Sequence, residues 1–246
     1  MSESASTSAV ELGLIAGRRA RIPDVYTPQI LSAPLNPIAS DGGPSQSIWE
    51  WGDAQVEVGL WECGPGTIEV PPGDFDEMMC MAAGRATVTQ DGADFDLTPA
   101  TLWVAPRGVS HSWTVHQTVR KLYVIDHRSG EMAETGFMSN PHVATVGNTK
   151  PRAATSGDPH ESTNVLWAHN RLDVGIWECT PGVFAASRIG YDEVFMCLSG
   201  AATMTASNGM SFDLSPGSVL YTPSGFTGTW DVSETFRKVY CLILDR

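Results

Sequence analysis

Basic residues are scarce in this chain: 15 Lys and Arg stand against 28 Asp and Glu, a formal net charge of −13. An acidic chain is repelled by phosphate backbones and anionic lipid, and the short Arg18, Arg19, Arg21 group does not offset this, so nucleic acid and membrane surfaces are not expected as partners. Long apolar runs are missing too; none approaches the about 18 residues that a membrane-spanning helix needs. The stretch Met1–Val10 is rich in Ser and Ala, and the Arg pair follows the weakly apolar Leu12–Ala16. That order does not suit a signal peptide, and the segment reads as the loose tail of a cytoplasmic protein. Cysteine is sparse: Cys63, Cys80, Cys179, Cys197 and Cys241 form no Cys-x-x-Cys pair, and buried packing thiols are expected instead of a disulfide framework or a zinc site. Charged residues are only 17% against 42% hydrophobic, which excludes a disordered chain.

What is there is a repeat. Val58-Gly59-Leu60-Trp61-Glu62-Cys63-Gly64-Pro65-Gly66 returns as Val174-Gly175-Ile176-Trp177-Glu178-Cys179-Thr180-Pro181-Gly182, an offset of 116. Asp76, Glu77, Gly84 and Thr87 return at the same offset as Asp192, Glu193, Gly200 and Thr203. After one inserted residue the offset becomes 117: Phe95-Asp96-Leu97 matches Phe212-Asp213-Leu214, Trp113 matches Trp230, and Arg120-Lys121-Leu122-Tyr123 matches Arg237-Lys238-Val239-Tyr240. Two copies of one unit of about 85 residues follow, each large enough to fold as a small domain. Residues 47–128 and 164–246 are the expected domains, 1–46 an N-terminal arm, and 129–163 a Pro- and Gly-containing linker. Each copy carries short segments rich in β-branched and aromatic residues between turn residues, with no amphipathic helix of three turns. An all-β sandwich or barrel of the jelly-roll type is expected.

These residues resemble the cupin superfamily. Its first motif ends in Glu, six residues and Gly, as in Glu77 to Gly84 and Glu193 to Gly200. Its second runs Gly, five residues, Pro-x-Gly, two residues, His. Here it reads Ala100 to Pro106-Arg107-Gly108 to His111, then Gly217 to Pro223-Ser224-Gly225 with Gly228 at the His position. The run Trp177 to Gly182, the Trp-x-Val after the second motif and the Arg-Lys-Val-Tyr ending are similar to small cupins of the ethanolamine-utilisation and ureidoglycine aminohydrolase-like subgroup. The resemblance implies two tandem cupin jelly-roll β-barrels. It also implies a ligand set of three His and one Glu, from which the chain departs. The first-motif His positions hold Val70 and Pro72 in one copy, Ala186 and Arg188 in the other, leaving Glu77 with His111 and Glu193 alone. A transition metal wants about three or four donors, so no cofactor is expected; a metal at Glu77 and His111 would need help from Asp74, Asp76 or His116.

Strand alternation sets which side chains share a face. With His111 inward, Trp113 and Val115 follow it; Glu77 brings Phe75 and Met79, Glu193 brings Tyr191 and Phe195, and Trp230 and Val232 follow Gly228. Glu77 and His111 are the catalytic candidates, a carboxylate in an apolar cup beside an imidazole that titrates near working pH, suited to isomerisation, epimerisation or elimination. The other reading of the pair is an inherited, hydrogen-bonded scaffold. Phe75, Trp113, Tyr191, Glu193 and Trp230 are the ligand-contacting candidates, with core packing the alternative for the tryptophans. Glu193, without a His partner, reads as scaffold or, paired with Arg188, Lys238 or Tyr191, as the holder of a polar ligand. Lys121 and Lys238 recur in one context, either offering a cation to an anionic ligand or paired to a neighbouring carboxylate. Cys63 and Cys179 read as packing thiols. His127 and the other strand-end or linker histidines have no recognisable spacing. Three functions stay open: a homodimeric bicupin that binds a small polar or carboxylated metabolite and transforms it without metal, a non-catalytic binding or structural bicupin, and a metal-dependent dioxygenase, decarboxylase or aminohydrolase with atypical ligands.

Overall fold

The computed structural model describes residues 10–15, 18–22, 36–37, 44–133 and 136–245, with side chains from residue 53 onward. The expected tail, apart from Val10, and most of the expected N-terminal arm lie outside the described residues. Every regular element among the described residues is a strand. The chain divides into two compact units, residues 34–147 with 163–176, and residues 1–33 with 148–162 and 177–246.

In the unit built mainly from the first repeat, two long strands, Asp76–Gln90 and His111–Asp126, run antiparallel past each other and form the frame. The second half of the His111 strand pairs with Val56–Cys63, and its first half pairs with Gly66–Val70. The Asp76 strand carries Leu102–Ala105 on its first half and Ala93–Leu97 on its second. Both long strands change partners where the register shifts between Val115 and Lys121. Gly84 lies at that corner with φ +82, and a Cβ there would stand 2.1 Å from the carbonyl oxygen of Thr118. The motif glycine is therefore a requirement of the bend that closes the barrel. Gly200 repeats the arrangement against Thr235 at 2.2 Å. The hairpin turn after Gln90 has positive φ at both Asp91 and Gly92, as a two-residue primed turn demands. The single residue inserted in the second repeat falls in the matching turn, Ser207–Gly209, where length is free to change.

The other unit repeats the frame with Tyr191–Ala206 and Thr227–Leu244, flanked by Val219–Thr222, Ser211–Leu214 and Gly182–Ser187. The hairpin Val10–Ile15 and Arg18–Ile22 extends this sheet, Arg21 pairing with Tyr221. Of residues 129–163, Phe137–Ser139 adds to Leu102–Ala105, and Lys150–Pro151 and Ser156–Gly157 pair within the second unit. Each barrel is filled by its own aromatic and aliphatic cluster, around Trp103 and Trp113 in one and Trp177, Phe195 and Trp230 in the other.

Candidate functional site

Cross-strand register places the first site. Glu57, Ile125, Glu77 and Ala105 form one row across four strands, and Trp61, Lys121 and Met81 form another row deeper on the same face. The Lys121 stem runs back along the barrel so that its Nζ donates to Glu77 Oε1 at 2.6 Å. Rings of Trp61 and Trp113 surround the ammonium at 5.0 and 5.1 Å from their centroids, which stabilises a cation taken out of water. His111 stands edge-on to Trp103 at 4.8 Å, and its Nδ1 is buried with no hydrogen-bond partner among the described residues. Burial, with Lys121 adding to it, pushes the imidazole down to about 4. This corrects the sequence expectation of a histidine that titrates near working pH: His111 is neutral there.

The partner given to Glu77 is thus Lys121, the pairing weighed as the alternative for that lysine. Trp113 is buried between Trp61 and Trp103, at 6.2 and 5.8 Å, and packs as core. Phe75 is half-buried at the rim, edge-to-face with His127 at 5.5 Å, and His127 Nε2 lies 2.8 Å from Glu57 Oε1. That rim imidazole–carboxylate pair escapes sequence reasoning because its members are 70 residues apart.

The second site carries one more cation. Lys238 Nζ donates to Glu193 Oε1 at 2.6 Å, as in the first barrel. Arg188, at a position of the missing first-motif His, also pairs with Glu193, through Oε2. Its Nε donates to Thr222 Oγ1 at 3.2 Å and its Nη1 to the Ser187 carbonyl at 3.0 Å. Burial works to raise the Glu193 pKa, but Arg188 and Lys238 outweigh it and hold the carboxyl below the usual range. Burial likewise pushes Lys238 down to about 8, with Arg188 and Arg152 assisting and Glu193 opposing. The walls are Phe195, Trp177 and Trp230, whose centroids lie 4.4, 5.0 and 5.3 Å from Nζ. Trp230 is otherwise core, packed on Phe236 at 5.3 Å. Tyr191 is half-buried, its hydroxyl donating to the Ser187 carbonyl at 3.4 Å. Trp61 and Trp177 were missed as wall residues, although both sit in the repeated Trp-Glu-Cys run, two residues before an inward cysteine.

Gly228 replaces His111 for a packing reason. A Cβ at 228 would lie 2.4 Å from the Thr205 carbonyl oxygen and 3.0 Å from the Phe226 ring, which fills the space a side chain would enter. Gly228→His is therefore expected to lower the unfolding free energy through overpacking, by about 1–3 kcal/mol, without creating a metal site. Denaturation and metal analysis of the variant check both outcomes.

The donors present do not fit a divalent transition metal. Glu77 and Glu193 already accept from ammonium groups, and Arg188 adds a cation. The residues considered as helpers are engaged elsewhere: Asp76 and Asp74 accept from Arg107 at 2.9 and 3.3 Å, and His116 bonds the Thr87 hydroxyl at 2.8 Å. Among the described residues no group of three His, Cys, Asp or Glu side chains is placed to hold a metal. The other recurring acids are structural. Glu62 pairs with buried Arg120, Glu178 with Arg237, and Asp192 accepts from Tyr221 and from the Ser224 amide. Burial pushes the Cys63 and Cys179 thiols up to about 11, as packing thiols require.

Comparison with known proteins agrees with this architecture. The chain is similar over 78% of its length, with a TM-score of 0.70 and 20% identity, to 84% of a structure of a protein of unknown function from Pseudomonas syringae pv. tomato. A cupin 2 conserved barrel domain protein from Leptotrichia buccalis gives a TM-score of 0.65 at 12% identity, over 86% of this chain and 98% of that one. A variant of salicylate 1,2-dioxygenase from Pseudoaminobacter salicylatoxidans gives 0.56 at 12% identity, over 77% of this chain and 70% of that one. No curated protein matches the chain in sequence. No helix among the described residues is long and apolar enough to cross a membrane. The EutQ-like cupin domain matches twice, at residues 45–123 and 168–240, so the chain belongs to the EutQ-like cupin family and carries two cupin domains.

Proposed function

We propose that this protein binds a small carboxylated metabolite in the mouth of its second barrel. The observation that carries the reading is the local charge balance: Arg188 and Lys238, two cations, face the single carboxylate of Glu193 under an aromatic wall. An excess positive charge in a low-dielectric cup, inside a protein of net charge −13, is favourable only when an anion can share it. Donors remain for that anion, since Lys238 spends one N–H on Glu193 and Arg188 does not spend all five.

The first barrel offers a different chemistry. Its ammonium and carboxylate balance, and the buried Nδ1 of neutral His111 is free to meet a carbonyl or hydroxyl of a second, uncharged polar ligand. Proton transfer by Glu77 and His111 would need the Lys121 pair to open. The cytoplasmic location is proposed from the five buried cysteines, which are thiols outside any disulfide, and a homodimer is proposed as the assembly.

Thermal-shift titration with propionate, lactate and pyruvate, each against its neutral amide, tests the reading. The acids are expected to stabilise the protein and the amides not, and Arg188→Met is expected to remove the effect. Equal shifts from acids and amides, or an unaltered response in Arg188→Met, would contradict it.

A further inference from the structure

The chain has only three lysines, Lys121, Lys150 and Lys238. Two of them are inside the barrels at equivalent positions, while Lys150 is a surface residue with a 68% exposed side chain. The internal pair is not equivalent in surroundings. Lys121 faces Glu77 with neutral His111 nearby, and Pro72 stands where Arg188 stands in the other copy. Lys238 faces Glu193, Arg188 and, further off, Arg152, which is itself paired with Glu161 behind Trp177. A second cation beside a desolvated lysine disfavours the ammonium and favours the nucleophilic amine. The cluster is buried but not sealed: the side chains of Arg188, Glu193 and Lys238 keep 8%, 6% and 6% exposure, whereas Phe195 beside them has none.

We propose that Lys238 is a carbonyl-reactive amine that forms a reversible imine with a small 2-oxo carboxylate held by Arg188. This deepens the carboxylate-binding reading and rests on it. Glu193, 2.6 Å from Nζ, takes one ammonium proton. The freed amine attacks the keto carbon, a C–N bond forms, and the carbonyl π pair becomes a hydroxyl on protonation, giving a carbinolamine. That hydroxyl leaves with a second proton as water, and a protonated C=N bond remains. Ammonium and ketone therefore give iminium and one water, with no change of oxidation state and no further reactant. The ligand carboxylate meets Arg188 at the same time, which orients the keto group toward Nζ.

The test uses the full-length protein with pyruvate and sodium cyanoborohydride, which reduces an imine to a stable secondary amine, read by intact mass and peptide mapping. One reduced pyruvyl adduct at Lys238 is expected, with little at Lys121 or Lys150, and its rate should climb as pH passes through about 8. Lys238→Met should abolish the adduct. Arg188→Met, which keeps the amine, should slow labelling at Lys238 by roughly tenfold, the worth of one charge-assisted contact. Propionate, which has the carboxylate but no carbonyl, separates the two ideas by thermal shift. Propionate stabilisation with no adduct at Lys238 overturns the imine and leaves the carboxylate site standing; neither stabilisation nor adduct overturns both. Labelling that spreads evenly over the three lysines and ignores Arg188→Met also overturns the imine.

Discussion

Glu193→Gln is expected to lower the unfolding free energy by about 3 kcal/mol or more, the cost of leaving a buried charge without its partner. The wild-type carboxylate pairs with both cations, and the amide that replaces it offers no charge to either. Lys238, already held down at about 8, escapes by shedding its proton. Arg188 has no such escape, because a guanidinium stays protonated at any pH the protein survives. Arg188→Met alone should cost only about 1 kcal/mol, since it leaves the same lysine–glutamate pair that the first barrel tolerates. The double variant should then recover most of what Glu193→Gln loses, a coupling that urea denaturation of the four proteins measures as a cycle. Additive losses would show that Arg188 and Glu193 do not act as one charge cluster.

A second large effect is expected from acid. His111 is held down to about 4 in the folded protein by burial and by Lys121, whereas an unfolded histidine titrates near 6.5. As pH falls below that ordinary value the unfolded chain takes up a proton that the folded chain refuses, so stability drops until the folded imidazole also protonates near 4. The loss across this window is about 2 kcal/mol after allowance for solvent at the barrel mouth. Carboxylates titrate over part of the same range, so the readout is the difference between wild type and His111→Met. The methionine protein should lose less stability between neutral pH and the lower limit of the window, whatever fixed packing cost it carries. Parallel pH profiles for the two proteins would mean that His111 is charged, or solvated, in the folded state.

The fold was legible because its constraints are local. The motif glycines announce the corners at Gly84 and Gly200, where a carbonyl oxygen leaves no room for a Cβ. The constant offset of 116, broken once at a hairpin turn, announces duplication, and the alternation around Trp113 and Trp230 correctly places both rings inside. The site was legible only as an inventory. Glu77, His111 and Glu193 are buried inside the barrels, and the pairing of Glu193 with Arg188 and Lys238 was open to sequence reading. That of Glu77 with Lys121 was not singled out, because the lysine reaches its carboxylate from a different row of the barrel, 44 residues away. Nor does a sequence show that burial beside an ammonium turns His111 neutral, or that Phe226 takes the space released by Gly228. Such effects depend on distances between strands, which periodicity does not encode.

The proposed carboxylate site lies in the second barrel, between Arg188 and Lys238. A high-resolution crystal structure of the full chain grown with propionate tests it most directly. Density for the carboxylate is expected within hydrogen-bond reach of both cations, with none beside His111. Density at His111 alone, or a metal ion bound to Glu193 in place of the Lys238 contact, would contradict it.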